Sequence, residues 1–236
     1  MNSTSETIGA RRLEVAIENA SPVSALLLRP AKPRACFVLA HGAGAGMAHP
    51  FMAAVATGLG ERGIATLRYQ FPYMEKAGKR PDPPAIAHAA VRAAVTEAGR
   101  CCAGLPIIAG GKSFGGRMTS QAQAIEPMPG VRGLAFLGFP LHPAGKPSSE
   151  RARHLADIDI PMLFLQGTGD KLAELGLLEP VVTKLGRSAT LHLVRDADHS
   201  FHVPVRSGRD DREVMMEVLD AFAAWVGAIE ARAPLA

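Results

Sequence analysis

Residues 105–116 constrain this chain more tightly than any other stretch. Leu105, Pro106, Ile107 and Ile108 make a short apolar run that reads as a buried strand, and residues 117–125 read as a helix. Between them stand Ala109, Gly110, Gly111, Lys112, Ser113, Phe114, Gly115 and Gly116. A strand-to-helix turn this tight strains the backbone at its apex and lifts that side chain above the strand ends. Residues two before and two after the apex are then expected to face each other, where a large side chain would clash. Gly111 and Gly115 fill those places, which puts Ser113 at the apex.

Two other readings of the stretch exist. With 24 glycines in the chain, G-x-S-x-G can arise in an ordinary glycine-rich turn. A phosphate-binding loop would use Gly111, Lys112 and Ser113, but it needs a glycine five residues earlier, where Pro106 stands.

The rest of the chain decides the fold class. At 236 residues and 47% apolar, it suits one domain with a real core, spanning residues 1–236. Residues 1–12 are polar and read as a flexible tail without a secretory h-region. Strands are expected over residues 13–18, 23–28, 35–40, 64–69, 105–108, 131–139, 162–166 and 190–194. Helices are expected over 50–62, 85–98, 117–125, 171–185 with a break at Pro180, and 209–229. Val214, Val218, Phe222, Trp225 and Ile229 give the last helix an apolar face, with Ser207 and Asp210 as its capping box. Alternating strands and helices imply an α/β fold: a mostly parallel central sheet, helices on both faces and right-handed crossovers. The loops over 70–84 and 140–153 are too short for a large cap domain.

Charge and cysteine content exclude several classes of function. The net charge is +4 and scattered. Lys76, Lys79 and Arg80 are diluted by Glu75 and Asp82, and Arg151 and Arg153 by Glu150. No basic stripe interleaves with aromatics, so nucleic acid is not expected as a partner. No apolar run has membrane-spanning length, so no membrane association is expected. Cys36, Cys101 and Cys102 are odd in number and have no C-x-x-C spacing, which suits reduced thiols in the cytoplasm. The oligomeric state is not legible.

Sites in such sheets form at the carboxyl ends of the strands. His41, Gly42, Ala43, Gly44, Ala45 and Gly46 follow one strand, and the Ser113 turn follows another. Thr168, Gly169 and Asp170 follow a third, and Asp196, Ala197, Asp198 and His199 the last. Serine, then aspartate, then histidine is the order of the α/β-hydrolase sheet, and each residue falls where that sheet would use it.

The whole chain resembles the α/β-hydrolase fold, nearest the small dienelactone-hydrolase-like group. The motifs HGAGAG, GGKSFGGRM, GFPLHPAGKP, PMLFLQGTGD and ADHSF also resemble a narrower set of predicted hydrolases. That set is related to the testis-expressed protein thirty and to subunit three of the NSL histone acetyltransferase complex, and some relatives serve as scaffolds. The similarity runs from about Ala35 to the C-terminus. It implies Ser113 as nucleophile, His199 as general base and then acid, and Asp170 as the group that orients the imidazole. The backbone amides of Ala43 and Phe114 would form the oxyanion hole.

Each role has a competitor. Asp170 could cap the helix expected after it. His202 could replace His199, while His192 belongs to the sheet packing. Asp196, Asp198, His199 and His202 could suggest a metal, but no H-E-x-x-H helix or second ligand group supports one, and neither metal nor cofactor is expected. His41 is expected to brace the oxyanion turn. Lys112 either touches a substrate carboxylate or bonds a loop. Tyr73 and His142 are candidate substrate contacts, with a loop brace as the rival reading for each; Arg68, Tyr69 and Lys146 lie near the same cleft. The expectation is a serine hydrolase acting on a small-molecule ester, thioester or similar acyl bond. The alternative is a catalytically quiet interaction or scaffold protein with this fold.

Overall fold

A computed structural model describes residues 9–232. The strands are β1 (Arg11–Val15), β2 (Val23–Leu28), β3 (Ala35–Ala40), β4 (Ile64–Tyr69), β5 (Ile107–Lys112), β6 (Val131–Leu137), β7 (Met162–Gly167) and β8 (Ala189–Val194). The helices are α1 (Pro50–Glu61), α2 (Pro72–Glu75), α3 (Pro84–Cys101), α4 (Phe114–Ile125), α5 (Leu175–Leu185) and α6 (Asp211–Arg232). One eight-stranded sheet has the order β1-β2-β4-β3-β5-β6-β7-β8. Only the pairs β1–β2 and β2–β4 are antiparallel.

The continuous apolar runs become the inner strands because helices cover both faces. All six residues of β3, β4 and β7 are buried. Along β3 the side chains alternate between two cores. Cys36, Val38 and Ala40 join α3 and α4 on one face, and Ala35, Phe37 and Leu39 join α1 and α6 on the other. Phe37 packs on Phe222 of α6 with ring centroids 4.7 Å apart. Burying such a side chain stabilises the fold by about 1.5–3 kcal/mol, so these cores hold the strand ends in register.

Several boundaries differ from the sequence reading. β1 begins at Arg11, so Arg11 and Arg12 are strand rather than tail, while residues 1–8 of that expected tail lie outside the described residues. The alternation does reach buried Ile17, but its carbonyl accepts from Ala20 in the turn, which ends the ladder at Val15. Residues 70–84 contain α2. α5 starts at Leu175 and continues through Pro180. The box that caps α6 is Asp210 with Glu213: each side chain accepts from the other's backbone N–H, at 3.1 and 2.8 Å. Ser207 instead accepts from Arg209 N at 3.2 Å. Between β6 and β7 the only helical piece is a 3₁₀ helix, Glu150–Asp157, so among the described residues no cap domain covers the strand ends.

Candidate active site

β5 runs through the glycines to Lys112, and α4 begins directly at Phe114. Ser113 is the whole turn, with φ 50° and ψ −114°. A serine held there carries about 1–3 kcal/mol of strain, which its neighbours must offset. Its N–H donates to Leu137 O of β6 at 3.2 Å, and its carbonyl accepts from Arg117 N at 3.1 Å. The glycines also have a task that the sequence did not suggest. A Cβ on Gly111 would lie 2.2 Å from Ala40 O, and one on Gly115 would lie 2.5 Å from His41 O. They admit the end of β3 against the turn.

The other strand ends bring two side chains to Ser113. His199 Nε2 is 2.8 Å from Ser113 Oγ, and His199 Nδ1 is 2.6 Å from Asp170 Oδ2. The network assigns the proton to Nδ1, leaving the Nε2 lone pair facing the hydroxyl. Asp170 is buried, and its carboxylate accepts from three donors, His199 among them. Oδ2 also accepts from Gln166 Nε2 at 2.5 Å, and Oδ1 accepts from Leu172 N at 2.8 Å. Asp170 caps no helix, since α5 starts only at Leu175. The loop carrying His199 is pinned close to β7 because Gly167 has no side chain: a Cβ there would lie 2.2 Å from Ala197 O.

His202 points elsewhere. It pairs with Asp211 and its side chain is 71% exposed. His192 pairs with Glu217 at 2.9 Å. Asp198 Oδ1 is occupied by Ser200 N and His202 N, at 2.7 and 3.0 Å. Among the described residues no group of His, Cys, Asp and Glu is arranged to hold a metal ion.

The loop after β3 is braced from three sides. His41 Nδ1 donates to Gly42 O at 2.7 Å, and its Nε2 accepts from Phe71 N at 3.0 Å. Burial lowers the pKa of His41, which keeps the imidazole in that neutral role. Arg68 donates to Met47 O at 3.1 Å. Tyr73, a candidate substrate contact, spends its hydroxyl on Ala43 O at 2.8 Å. Burial, with Asp82 nearby, pushes that phenol up to about 12. Tyr73 is therefore a brace. Tyr69 is core. Among the described residues the backbone N–H groups of Ala43 and Phe114 meet no protein acceptor, and both residues line the space beside Ser113.

Lys112 also turns away from the role of a free contact. Its ammonium donates to the His199 carbonyl and lies 5.9 and 5.6 Å from the ring centres of Phe51 and Phe201. Burial brings its pKa down to about 8. His142 is buried, with Nδ1 donating to Pro143 O at 2.9 Å. It lines a cavity of about 730 Å³ that opens beside Ser113, together with Arg80, Arg117 and Arg151. A second cavity of about 470 Å³ lies on the His199 side, walled by Gly42, His49, Phe51, Met52 and Lys112.

Sequence reasoning missed Gln166 and Arg117. Gln166 could have been noticed as the one polar side chain in an otherwise apolar run. Arg117 lies one turn into α4 from Ser113, on the face that the turn itself uses. A second serine–histidine contact went unnoticed as well: Ser120 Oγ lies 2.8 Å from His154 Nε2, below the site.

Residues 33–227 match the family described as alpha/beta hydrolase domain. Three solved structures share the fold. A dienelactone hydrolase from Anabaena variabilis is 20% identical at a TM-score of 0.74, with 92% of this chain and 95% of that one covered. An alpha-beta serine hydrolase homologue from Coxiella burnetii is 18% identical at 0.73, covering 92% and 99%. A serine hydrolase without lid from Xanthomonas campestris is 18% identical at 0.72, covering 95% and 98%.

Proposed function

The chain belongs to the alpha/beta hydrolase domain family, and from that premise we propose that it is a serine hydrolase cleaving a carboxylic ester, thioester or similar acyl bond. The observation that carries the reading is the unbroken series Ser113–His199–Asp170, with hydrogen bonds of 2.8 and 2.6 Å. A free serine hydroxyl is a poor nucleophile, and a neutral imidazole aimed at it removes that obstacle. His199 takes the proton as Oγ bonds to the acyl carbon, and Asp170 stabilises the imidazolium that forms. The negative charge gathers on the former carbonyl oxygen, between the N–H groups of Ala43 and Phe114. One such donor is worth about 3 kcal/mol in the transition state. His199 then gives its proton to the leaving group, whose bond to the acyl carbon breaks. Water repeats the sequence on the acyl-enzyme and frees Ser113.

The strain at Ser113 supports the same reading, since a scaffold gains nothing from it. The narrower resemblance to the hydrolases related to testis-expressed protein thirty rests on the same motifs. The three thiols are free, which supports a reducing compartment such as the cytoplasm. The short connections around the cleft favour small or short-chain acyl groups, since a long chain needs an apolar groove that returns about 0.8 kcal/mol per methylene. Specificity constants for para-nitrophenyl esters should therefore level off or fall beyond short chains; a steady rise to long chains refutes that preference. The hydrolase reading itself is tested by a fluorophosphonate probe and mass spectrometry. Covalent label on Ser113 is expected, and a folded protein that takes no label overturns the reading.

A further inference from the structure

Resting on the hydrolase reading, we infer that the acyl half of the substrate carries a free carboxylate, held by Arg117 and Arg151, while the leaving group is apolar. The two cavities that meet at Ser113 differ in chemistry. The larger presents the side chains of Arg80, Arg117 and Arg151. Among the described residues, none of these guanidinium groups has a protein acceptor or a carboxylate at salt-bridge distance. Glu150, the nearest acid in sequence, is taken by Arg153 at 3.2 Å. Asp82, also on the wall, accepts from Tyr73 N at 2.9 Å.

Arg117 carries the argument furthest. Its Nε is fully buried and has no partner. Its guanidinium lies over the Phe114 ring, 5.8 Å from the centre, which fixes its direction. Its neighbours make its charge costly: burial and then the Arg151 charge both lower its pKa. Among the described residues, Arg117 and Arg151 face this cavity with no carboxylate at salt-bridge distance from either, the wall's Asp82 being bonded to Tyr73 N, and two such cations are an unfavourable arrangement in the free protein. A planar carboxylate would meet both guanidinium groups with paired, charge-assisted hydrogen bonds and reverse that cost.

Which half of the substrate carries the anion follows from where the general acid stands. His199 must reach the departing atom, so the leaving group lies on the His199 side. That side is the second cavity, walled by Phe51, Met52 and the small residues 42–45, with the Lys112 charge already committed to a backbone carbonyl. His199 does not line the arginine cavity. The acyl chain is left to extend toward Arg117, which sits one helical turn, about 6 Å of axial rise, beyond Ser113.

The test compares the para-nitrophenyl half-ester of adipic acid with para-nitrophenyl hexanoate, which has the same leaving group and chain length without the charge. The wild-type protein should favour the half-ester at least about tenfold in kcat/KM. Arg117→Gln and Arg151→Gln should each bring that ratio toward one, chiefly through KM. Arg153→Gln, outside the cavity and paired with Glu150, should leave the ratio intact. A hexanoate ester whose phenol carries the carboxylate should gain nothing. Retained fluorophosphonate labelling of Ser113 shows that the variants are folded.

If Ser113 labels and the hexanoate is turned over, but the wild-type ratio is one or below, the carboxylate inference falls and the hydrolase reading stands. A preference for the phenol-borne carboxylate overturns the assignment of halves. If no ester is turned over and no label appears, the hydrolase reading has failed. The anion site is then judged by calorimetry with adipate and, separately, inorganic phosphate. Adipate binding that disappears in Arg117→Gln supports the site. Binding of phosphate alone, or adipate binding unchanged by that variant, overturns it.

Discussion

Two serine–histidine pairs lie one at the turn that precedes α4 and one inside that helix, and their distances are the same. Ser113 lies 2.8 Å from His199 Nε2, and Ser120 lies 2.8 Å from His154 Nε2. Their surroundings separate them. Ser113 stands before the first residue of the helix with φ 50°, beside two cavities. Ser120 is inside the helix, fully buried, and also lies 3.0 Å from Arg117 O. His199 is completed by Asp170, whereas among the described residues no carboxylate accepts from His154. Burial, and then the Arg117 charge, bring the pKa of His154 down to about 4. Such an imidazole is a weak base with no hydrogen-bonded carboxylate to hold the proton it would have to carry. On the hydrolase reading, a serine at hydrogen-bond distance from a histidine is thus not yet a nucleophile; the third group and an accessible face are what set Ser113 apart.

The sharpest way to break this contrast is to remove each hydroxyl in turn. Ser113→Ala should abolish fluorophosphonate labelling and lower ester turnover by about 10⁴-fold or more. Ser120→Ala should keep both. The reverse pattern, read by intact mass and initial rates, would exchange the roles assigned to the two pairs. Next in size is the third group. Asp170→Asn keeps an acceptor for Leu172 N but supports the wrong imidazole tautomer, and kcat should fall by about 10³–10⁴-fold. A loss below tenfold would mean that His199 does not depend on Asp170.

A smaller effect separates the pairs by pH. Unfolded, His154 titrates near its ordinary value of 6.5; folded, it titrates only near about 4. The unfolded chain therefore binds the proton first as the pH falls. The stability present above 6.5 should be lost progressively toward about pH 4. His154→Gln should show a flatter decline over that window in urea midpoints; an identical decline in both proteins would refute the assignment. The smallest expected change is the stability of Ser120→Ala. It should lose about 0.5–2 kcal/mol, measured by urea unfolding, because His154 and its neighbours lose a buried hydrogen bond. No loss at all would mean that this pair is not even structural.

The sequence discloses the frame of this site better than its supports. Ser113, Asp170 and His199 were legible because each directly follows an apolar run, and strand ends converge in a parallel sheet. Lys112 and Tyr73 stayed ambiguous between substrate contact and loop brace because their polar atoms are claimed by carbonyls far away in sequence, at His199 and Ala43. Nothing local reveals such partners. Gln166 hid inside a strand, and Arg117 gains its meaning only when the segment around Arg151 folds back beside it. The fold itself was readable from alternation and run length. Its boundaries slipped where caps and turns decided them, as at Asp210 and Ala20.

The Lys112 ammonium on the His199 carbonyl has one more consequence. Lys112 is covalently next to Ser113, so a single side chain ties the turn of one strand to the loop of another. For the histidine loop to swing outward, that cation would have to leave both its carbonyl and the rings of Phe51 and Phe201. That contact holds the histidine loop against the serine turn. On the hydrolase reading, a substrate would arrive at an imidazole and a hydroxyl already facing each other, with no binding energy needed to assemble them.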